Sequence, residues 1–374
     1  MKTILLTGNM GYLGPCVVER LRQVYPDARL VGLDTGYFAT CLLDRRAPLP
    51  ERILNRQDFV DIRDVRPEYL AGVDVLVHLA AISNDPMGRA FAEVTSSINE
   101  KATVRLAQLA RQAGATRFVF ASSCSVYGLA EEGARTEQSA VNPLTTYALS
   151  KVNSEKALAG LAGPDFVVTC LRFATACGMS PRLRLDLVLN DFVVSAIASR
   201  TIRILSDGTP WRPLIDVVDM ARAIEWAIQR DPVEGGEFLT VNTGSTAGNY
   251  RVRDLAEAVA SHIPGAEVQI DPNAAPDQRS YKVDFSLYRA LAPRHQPSLD
   301  LFESIERLKS GLAAVRLDDE GFRASLTRLH VLSSLVQNGE LTSDLRWQTD
   351  PDATLSAAAP ARPGRVDTDC LRLA

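Results

Sequence analysis

Thr7-Gly8-Asn9-Met10-Gly11-Tyr12-Leu13-Gly14 follows directly on the apolar run Thr3-Ile4-Leu5-Leu6. Such a run reads as a buried strand, and the amphipathic stretch Cys16–Val24 beyond the glycines reads as a helix. A glycine-rich turn between strand and helix lets backbone N–H groups approach a pyrophosphate, whose charge the helix N-terminus favours. A second apolar run, Leu30-Val31-Gly32-Leu33, closes on Asp34. That places a carboxylate about twenty residues beyond the glycines, where it accepts hydrogen bonds from an adenosine ribose and repels a 2′-phosphate. The expected cofactor is therefore NAD rather than NADP.

Working outward, the first half of the chain alternates strand and helix signals. Strands are expected at Thr3–Thr7, Arg29–Leu33, Val73–Leu79, Arg117–Ala121 and Phe166–Arg172, and helices at Cys16–Val24, Ala90–Ala113 and Tyr147–Gly160. This alternation predicts an α/β fold, a Rossmann-type doubly wound parallel sheet covered by helices on both faces. Beyond Arg172 the pattern loosens. Pro181–Arg200 reads as a loop feeding a helix, Val217–Gln229, Asn249–His262, Leu299–Leu312 and Leu326–Val336 read as helices, and Glu237–Asn242 as a strand that rejoins the sheet. The turn-rich Asp271–Arg279 interrupts this part, and Leu345-Arg346-Trp347 reads as a last anchoring segment.

The expected organisation is an NAD-binding domain of residues 1–173 plus about 215–246. A smaller interleaved substrate domain takes about 174–214 and 247–347, and a tail without periodicity takes 348–374. With 46% hydrophobic and 23% charged residues, the 374-residue chain has an ordinary globular composition. A net charge of −4 gives no electrostatic reason to expect nucleic acid or an anionic membrane surface. Met1-Lys2 leads straight into a strand and no apolar run suits a bilayer, so a cytoplasmic protein without a membrane partner is expected. The six cysteines show neither CxxC spacing nor a histidine cluster, so no metal site is expected.

Tyr147-Ala148-Leu149-Ser150-Lys151 places a phenol and an ammonium on one face of a helix. A nearby cation favours the phenolate, which makes Tyr147 a candidate acid/base. Arg212, between Trp211 and Pro213, and Arg279 are candidates for diphosphate binding, since guanidinium donors match phosphate oxygens in pairs. Asn190 lies in an apolar stretch and needs a partner. Arg182 and Arg184 flank Leu183, and either could face a ligand.

These residues together resemble the extended short-chain dehydrogenase/reductases, specifically the NAD-dependent nucleotide-sugar epimerases and dehydratases. The resemblance rests on the Gly8/Gly11/Gly14 turn, Asp34, Asp61-Ile62, His78-Leu79-Ala80-Ala81, Asn99, Ser122-Ser123 before Val126-Tyr127-Gly128, and Tyr147/Lys151. Asn190, Trp211-Arg212-Pro213 and Arg279 extend it to about Trp347. It implies a cofactor site of Gly8, Gly11, Tyr12, Leu13, Gly14, Asp34, Asp61, Ile62, Leu79, Ala80, Ala81, Asn99, Tyr147 and Lys151. Asp61 and Ile62 would flank the adenine, the other reading of Asp61 being a cap on the turn before Arg63. Asn99 would brace the surroundings of the tyrosine. Lys151 would bond the nicotinamide ribose and lower the Tyr147 pKa, and Ser123 would orient the reacting sugar hydroxyl. Ser123, Ser125, Asn190, Arg212 and Arg279 would hold a nucleotide-diphosphate sugar, and a homodimer would form through the two long helices.

In the 4,6-dehydratases of that family the two positions after Ser123 usually carry carboxyl groups, where this chain has Cys124 and Ser125. A 4-epimerase needs neither, so epimerisation is the favoured reaction and dehydration the alternative. Cys124 is a candidate proton donor only for dehydration, its other reading being a small residue lining the pocket. A simple ketoreductase, or a non-catalytic dinucleotide sensor of the same fold, is the remaining alternative.

Overall fold

The computed structural model describes residues 1–270, 280–315, 317 and 320–348. The turn-rich 271–279, with Arg279, and the expected tail beyond Gln348 lie outside the described residues. The chain divides into two compact units, Met1–Leu332 and Ser333–Ala374. In the second, Leu341 and Trp347 form an antiparallel bridge.

The first unit is built on seven strands: β1 (Thr3–Thr7), β2 (Arg29–Asp34), β3 (Arg56–Phe59), β4 (Val75–His78), β5 (Arg117–Ser123), β6 (Val167–Phe173) and β7 (Phe238–Thr243). They lie side by side in the order β7-β6-β5-β4-β1-β2-β3, every pair parallel. The chain order reverses between β1 and β4, and that reversal opens the crevice in which such sheets take ligands. Every residue of β4 and β6 is buried, as expected of strands covered on both faces. The expected strands all form, and Phe238–Thr243 does rejoin the sheet beside β6. The edge strand Arg56–Phe59 has no buried residue and so gave no apolar signal.

Two expected helices differ. The stretch Ala90–Ala113 is not one helix: it runs as Asp85–Ala90, Ala92–Ser96, a π-helical turn Ser97–Ala102, and Thr103–Gln112. Phe91 leaves helical geometry at φ −127°, ψ 52°, and the wider π turn carries Asn99 into the interior, 1% exposed. At the other site, Asn249–Arg251 is a strand paired antiparallel with Trp211–Pro213, so the helix starts only at Val252. Small sheets outside the seven strands also join Leu129–Arg135 to Ser280–Val283 and Thr201–Ile204 to Glu267–Ile270.

Close packing fixes the glycine turn. Gly8 has φ 73°, and a Cβ there would lie 2.5 Å from the Ala80 amide nitrogen. A Cβ on Gly14 would overlap the Asn9 carbonyl oxygen. Beneath the turn, His78 bridges Thr7 Oγ1 at 2.6 Å from Nδ1 and Thr103 Oγ1 at 2.7 Å from Nε2. The Thr103 hydroxyl gives its proton to the Asn99 carbonyl, so it accepts from Nε2–H. A neutral imidazole then accepts the Thr7 proton at Nδ1. Burial, followed by the charge of Lys151, lowers the His78 pKa to about 3.

A histidine held neutral in the fold and charged in the unfolded chain makes folding weaken as pH falls through the unfolded pKa. Denaturation across pH should give the wild type a loss of stability between about pH 6.5 and pH 3 that is missing from His78→Gln.

Candidate active site

At the carboxyl ends of the strands lies a cavity of about 790 Å³. One end is lined by Gly8, Gly11, Tyr12, Leu13, Asp34, Asp61 and Ile62, its middle by Leu79–Ala81, Ser123, Ser125, Tyr147 and Lys151, and Arg212 belongs to its wall. These are most of the residues that the sequence brings forward, supplied by the ends of β1 to β5, the Thr146–Ala159 helix and, for Arg212, the strand Trp211–Asp216.

Asp34 closes β2 and takes hydrogen bonds from the Met10 amide (2.9 Å) and the Gly36 amide (2.8 Å), one on each oxygen. Each oxygen keeps a lone pair for a further donor. Burial raises its pKa, and the two amides draw it back. Asp61 lines the cavity and also caps the Ile62–Asp64 turn, with an ion pair to Arg63 at 2.6 Å. The capping reading of that residue holds, and its place in the lining leaves it within reach of a ligand.

Tyr147 occupies the first turn of its helix, which Thr145 caps by accepting from the Ala148 amide at 3.1 Å. Lys151, one turn on, is 3% exposed and donates to the Ala121 carbonyl at 2.7 Å. Its Nζ lies 5.7 Å from the Tyr147 ring centroid. Burial lowers the Lys151 pKa to about 8, against the opposing charge of Glu155. Burial pushes Tyr147 up to about 12; a hydrogen bond with Ser123 draws it down, Asp85 raises it and Arg184 lowers it. The expected lowering of the phenol by Lys151 is not found: the charges that shift Tyr147 are those of Asp85, Arg184 and Cys124, and desolvation dominates them.

Cys124 is corrected on both readings. It is fully buried and absent from the cavity wall, and its Sγ donates to the Arg172 carbonyl at 3.1 Å. Burial drives its pKa far upward. The turn Cys124–Tyr127 after β5 points Ser123 and Ser125 into the cavity and the thiol into the core. Ser125 Oγ is buried without a hydrogen-bond partner, a polar group left for a ligand.

Asn99, Asn190 and Gly14 do not line the cavity either. Asn99 spends its amide on both backbone groups of Ile82 (2.8 and 2.9 Å) and on Ser150 (3.3 Å), so it braces rather than binds. Asn190 accepts from the Gly178 amide at 3.0 Å and donates to the Tyr12 hydroxyl and the Arg184 carbonyl, each at 3.0 Å. The partner it needs is thus internal. Gly14 serves the packing of the turn on its helix. Arg182 is fully buried against Glu51, whereas Arg184 faces the cavity. Ser83, Asn84, Asp85 and Asp186 line it too and were missed, because no periodicity or motif marks them.

Residues 4–244 match the NAD dependent epimerase/dehydratase family. The chain belongs to that family. A UDP-glucose 4-epimerase of Mycolicibacterium smegmatis is 29% identical over 315 residues, 81% of this chain and 96% of the relative. A dTDP-glucose 4,6-dehydratase of Streptomyces griseus is 27% identical, over 81% of this chain and 91% of the relative. Among solved structures, MoeE5 in complex with UDP-glucuronic acid and NAD is 26% identical with a TM-score of 0.70, over 83% of this chain and 99% of that one. The family makes this chain an NAD-dependent nucleotide-sugar enzyme; relatives of similar identity carry out both reactions.

With its thiol turned into the core, Cys124→Ala should leave turnover nearly unchanged while lowering stability by about 1–2 kcal/mol, read by steady-state kinetics and denaturant unfolding.

Proposed function

We propose that this enzyme is a nucleotide-sugar 4-epimerase, with Ser123 and Tyr147 acting on the C4 hydroxyl and Lys151 set beside them. The observation that carries this is the placing of Ser123, Tyr147 and Lys151 in one cavity whose wall also includes Asp34 and Arg212, with no carboxyl group at positions 124 and 125.

The residues present fit NAD. Gly8 and Gly11 leave backbone approachable, Asp34 keeps lone pairs for ribose hydroxyls, and Ile62 offers an apolar contact to adenine. Leu79, Ala80 and Ala81 give the small side chains over which a dinucleotide passes. Lys151 uses one of three ammonium protons on Ala121, which leaves two for the nicotinamide ribose. Bound NAD supplies the hydride acceptor and, when oxidised, a positive charge that favours the phenolate.

On the protein side, Tyr147 would take the C4 hydroxyl proton when C4 is oxidised and give it back when C4 is reduced again. Ser123 donates to and accepts from that oxygen and shares the proton's path to the phenol. Ser125 has an unpartnered hydroxyl for the sugar. Arg212, whose Nη1 also bonds the Trp211 carbonyl at 2.9 Å, supplies donors for the diphosphate. Arg279 is a second candidate outside the described residues. Relatives named for UDP-glucose make UDP-hexoses the first substrates to test. The domain division expected from the sequence, and a cytoplasmic setting, complete this reading; among the described residues no helix is long and apolar enough to cross a membrane.

Mass spectrometry and NMR of the product decide the reaction: unchanged mass with inverted C4 supports it, and loss of one water overturns it in favour of dehydration. Tyr147→Phe should cost about 100-fold or more in turnover while NAD still binds.

We further propose a homodimer through the Thr103–Gln112 and Thr146–Ala159 helices, the second of which exposes Leu149 at 47%. Light scattering should give twice the chain mass, and a monomer at micromolar concentration counts against it.

A further inference from the structure

Three consecutive residues after β4 each hold a different part of the cavity wall. Ser83 Oγ accepts from Arg184 Nη1 at 2.9 Å. Asn84 donates its side-chain amide to Asp186 Oδ2 at 2.5 Å, while its Oδ1 caps the Asp85–Ala90 helix through the Met87 amide at 2.8 Å. Asp85 Oδ1 accepts from the Thr145 hydroxyl at 2.7 Å. Thr145 in turn caps the helix that carries Tyr147, two residues on. The Asp85–Ala90 helix packs directly on that tyrosine, because a Cβ on Gly88 would sit 3.3 Å from the Tyr147 Cβ.

Arg184 and Asp186 form a buried fork, Nε to Oδ1 and Nη2 to Oδ2, each at 2.9 Å. Three of the five guanidinium protons are thereby used, on Ser83 and Asp186, and two remain. The same tripeptide thus anchors a cation from the 182–187 loop and an anion at the foot of the catalytic helix.

We propose that Ser83-Asn84-Asp85 is a positioning clasp: Asp85 fixes the first turn of the Tyr147 helix through Thr145, and Ser83 with Asp186 holds Arg184 in the same cavity. The two charges then act on the proton of Tyr147 in opposite senses. This rests on the reading of Tyr147 as the acid/base group. The groups that bear on the phenol are Ser123 and Cys124 from the end of β5, Lys151 from its own helix, Asp85 from the short helix against it, and Arg184 from the loop, with Asp186 paired to Arg184. Of these, Asp85 raises the Tyr147 pKa and Arg184 lowers it, as their charges require. A clasp that carries both lets loop and helix be set by one segment.

The test reads Tyr147 directly. Fluorotyrosine is placed at position 147 and followed by fluorine NMR across pH in the full chain saturated with NAD. Asp85→Asn is expected to lower the midpoint and Arg184→Gln to raise it, each by about half a unit, the scale of one charge across a partly hydrated cavity. Asp85→Glu and Arg184→Lys, which keep the charges, should stay near the wild type. The acid limb of kcat/KM against pH should move with the NMR midpoint. Midpoints that stay fixed in both charge-removing variants, or move in the same direction, overturn the proposal. Should Arg184→Gln fail to fold, Asp85→Asn against Asp85→Glu carries the test, and equal midpoints in those two overturn it. Failure of the underlying reading shows elsewhere, as full epimerase activity in Tyr147→Phe, and leaves the NMR result standing on its own.

Discussion

A neutral imidazole joins the three segments on which the site is built. His78 stands at the end of β4 between Thr7, at the end of β1, and Thr103, just beyond the π-helical turn. Thr103 continues the chain to the Asn99 carbonyl, which also accepts from Ser154 of the catalytic helix at 2.8 Å. The Asn99 side chain closes on Ile82 and Ser150. Strand ends, glycine turn and catalytic helix are thus tied by one buried hydrogen-bond chain, in which the Asn99 amide nitrogen divides its two protons between Ile82 and Ser150. In a low-dielectric interior such a chain is stabilising only when complete, because any unpaired member would bear its full desolvation penalty.

A second buried network lies under the other side of the cavity. Glu155 and Arg172 pair at 2.7 Å, Ser122 donates to Glu155 at 2.5 Å, and Arg172 donates to Tyr127, whose hydroxyl reaches Asn242 at 2.6 Å. This pair joins the Tyr147 helix to β6, and the Glu155 carboxylate sits one turn from Lys151. Its charge opposes the desolvation that lowers the lysine's pKa. A third knot, Tyr12 with Gly178, Ser180 and Asn190, closes the wall behind the glycine turn. Polar residues in an apolar sequence context thus serve mainly to lock the cavity's frame, while the groups left for ligand are fewer.

The turn after β5 is where function depends most on geometry. Ser123, Cys124 and Ser125 are adjacent, yet the 3-10 turn that starts there sends two hydroxyls to the cavity and the thiol to the core. Chemistry that three neighbouring side chains would allow is reduced to what two of them can reach. Carboxylates do enter the cavity, but from other elements: besides Asp34 and Asp61 these are Asp85, Asp186 and Asp191, and Asp85 and Asp186 are already engaged by Thr145 and Arg184.

What the sequence determined by itself is local in character. An apolar run, a glycine turn and an amphipathic helix are set by neighbouring residues, so β1, β2 and Asp34 were legible, as was the Tyr147–Lys151 face, because four residues make about one helical turn. The parallel sheet followed from the repeated alternation of such signals. Only the tertiary structure decided which polar residues bind and which brace. Asn190 meets Tyr12 across 178 positions and Asn84 meets Asp186 across 102, pairings that no spacing encodes. The same holds for the broken helix before Thr103, where the buried needs of Ile82 and Ser150 are met by a π turn around Asn99. Whether a side chain faces ligand or core is fixed by what packs against it, and those partners come from far along the chain.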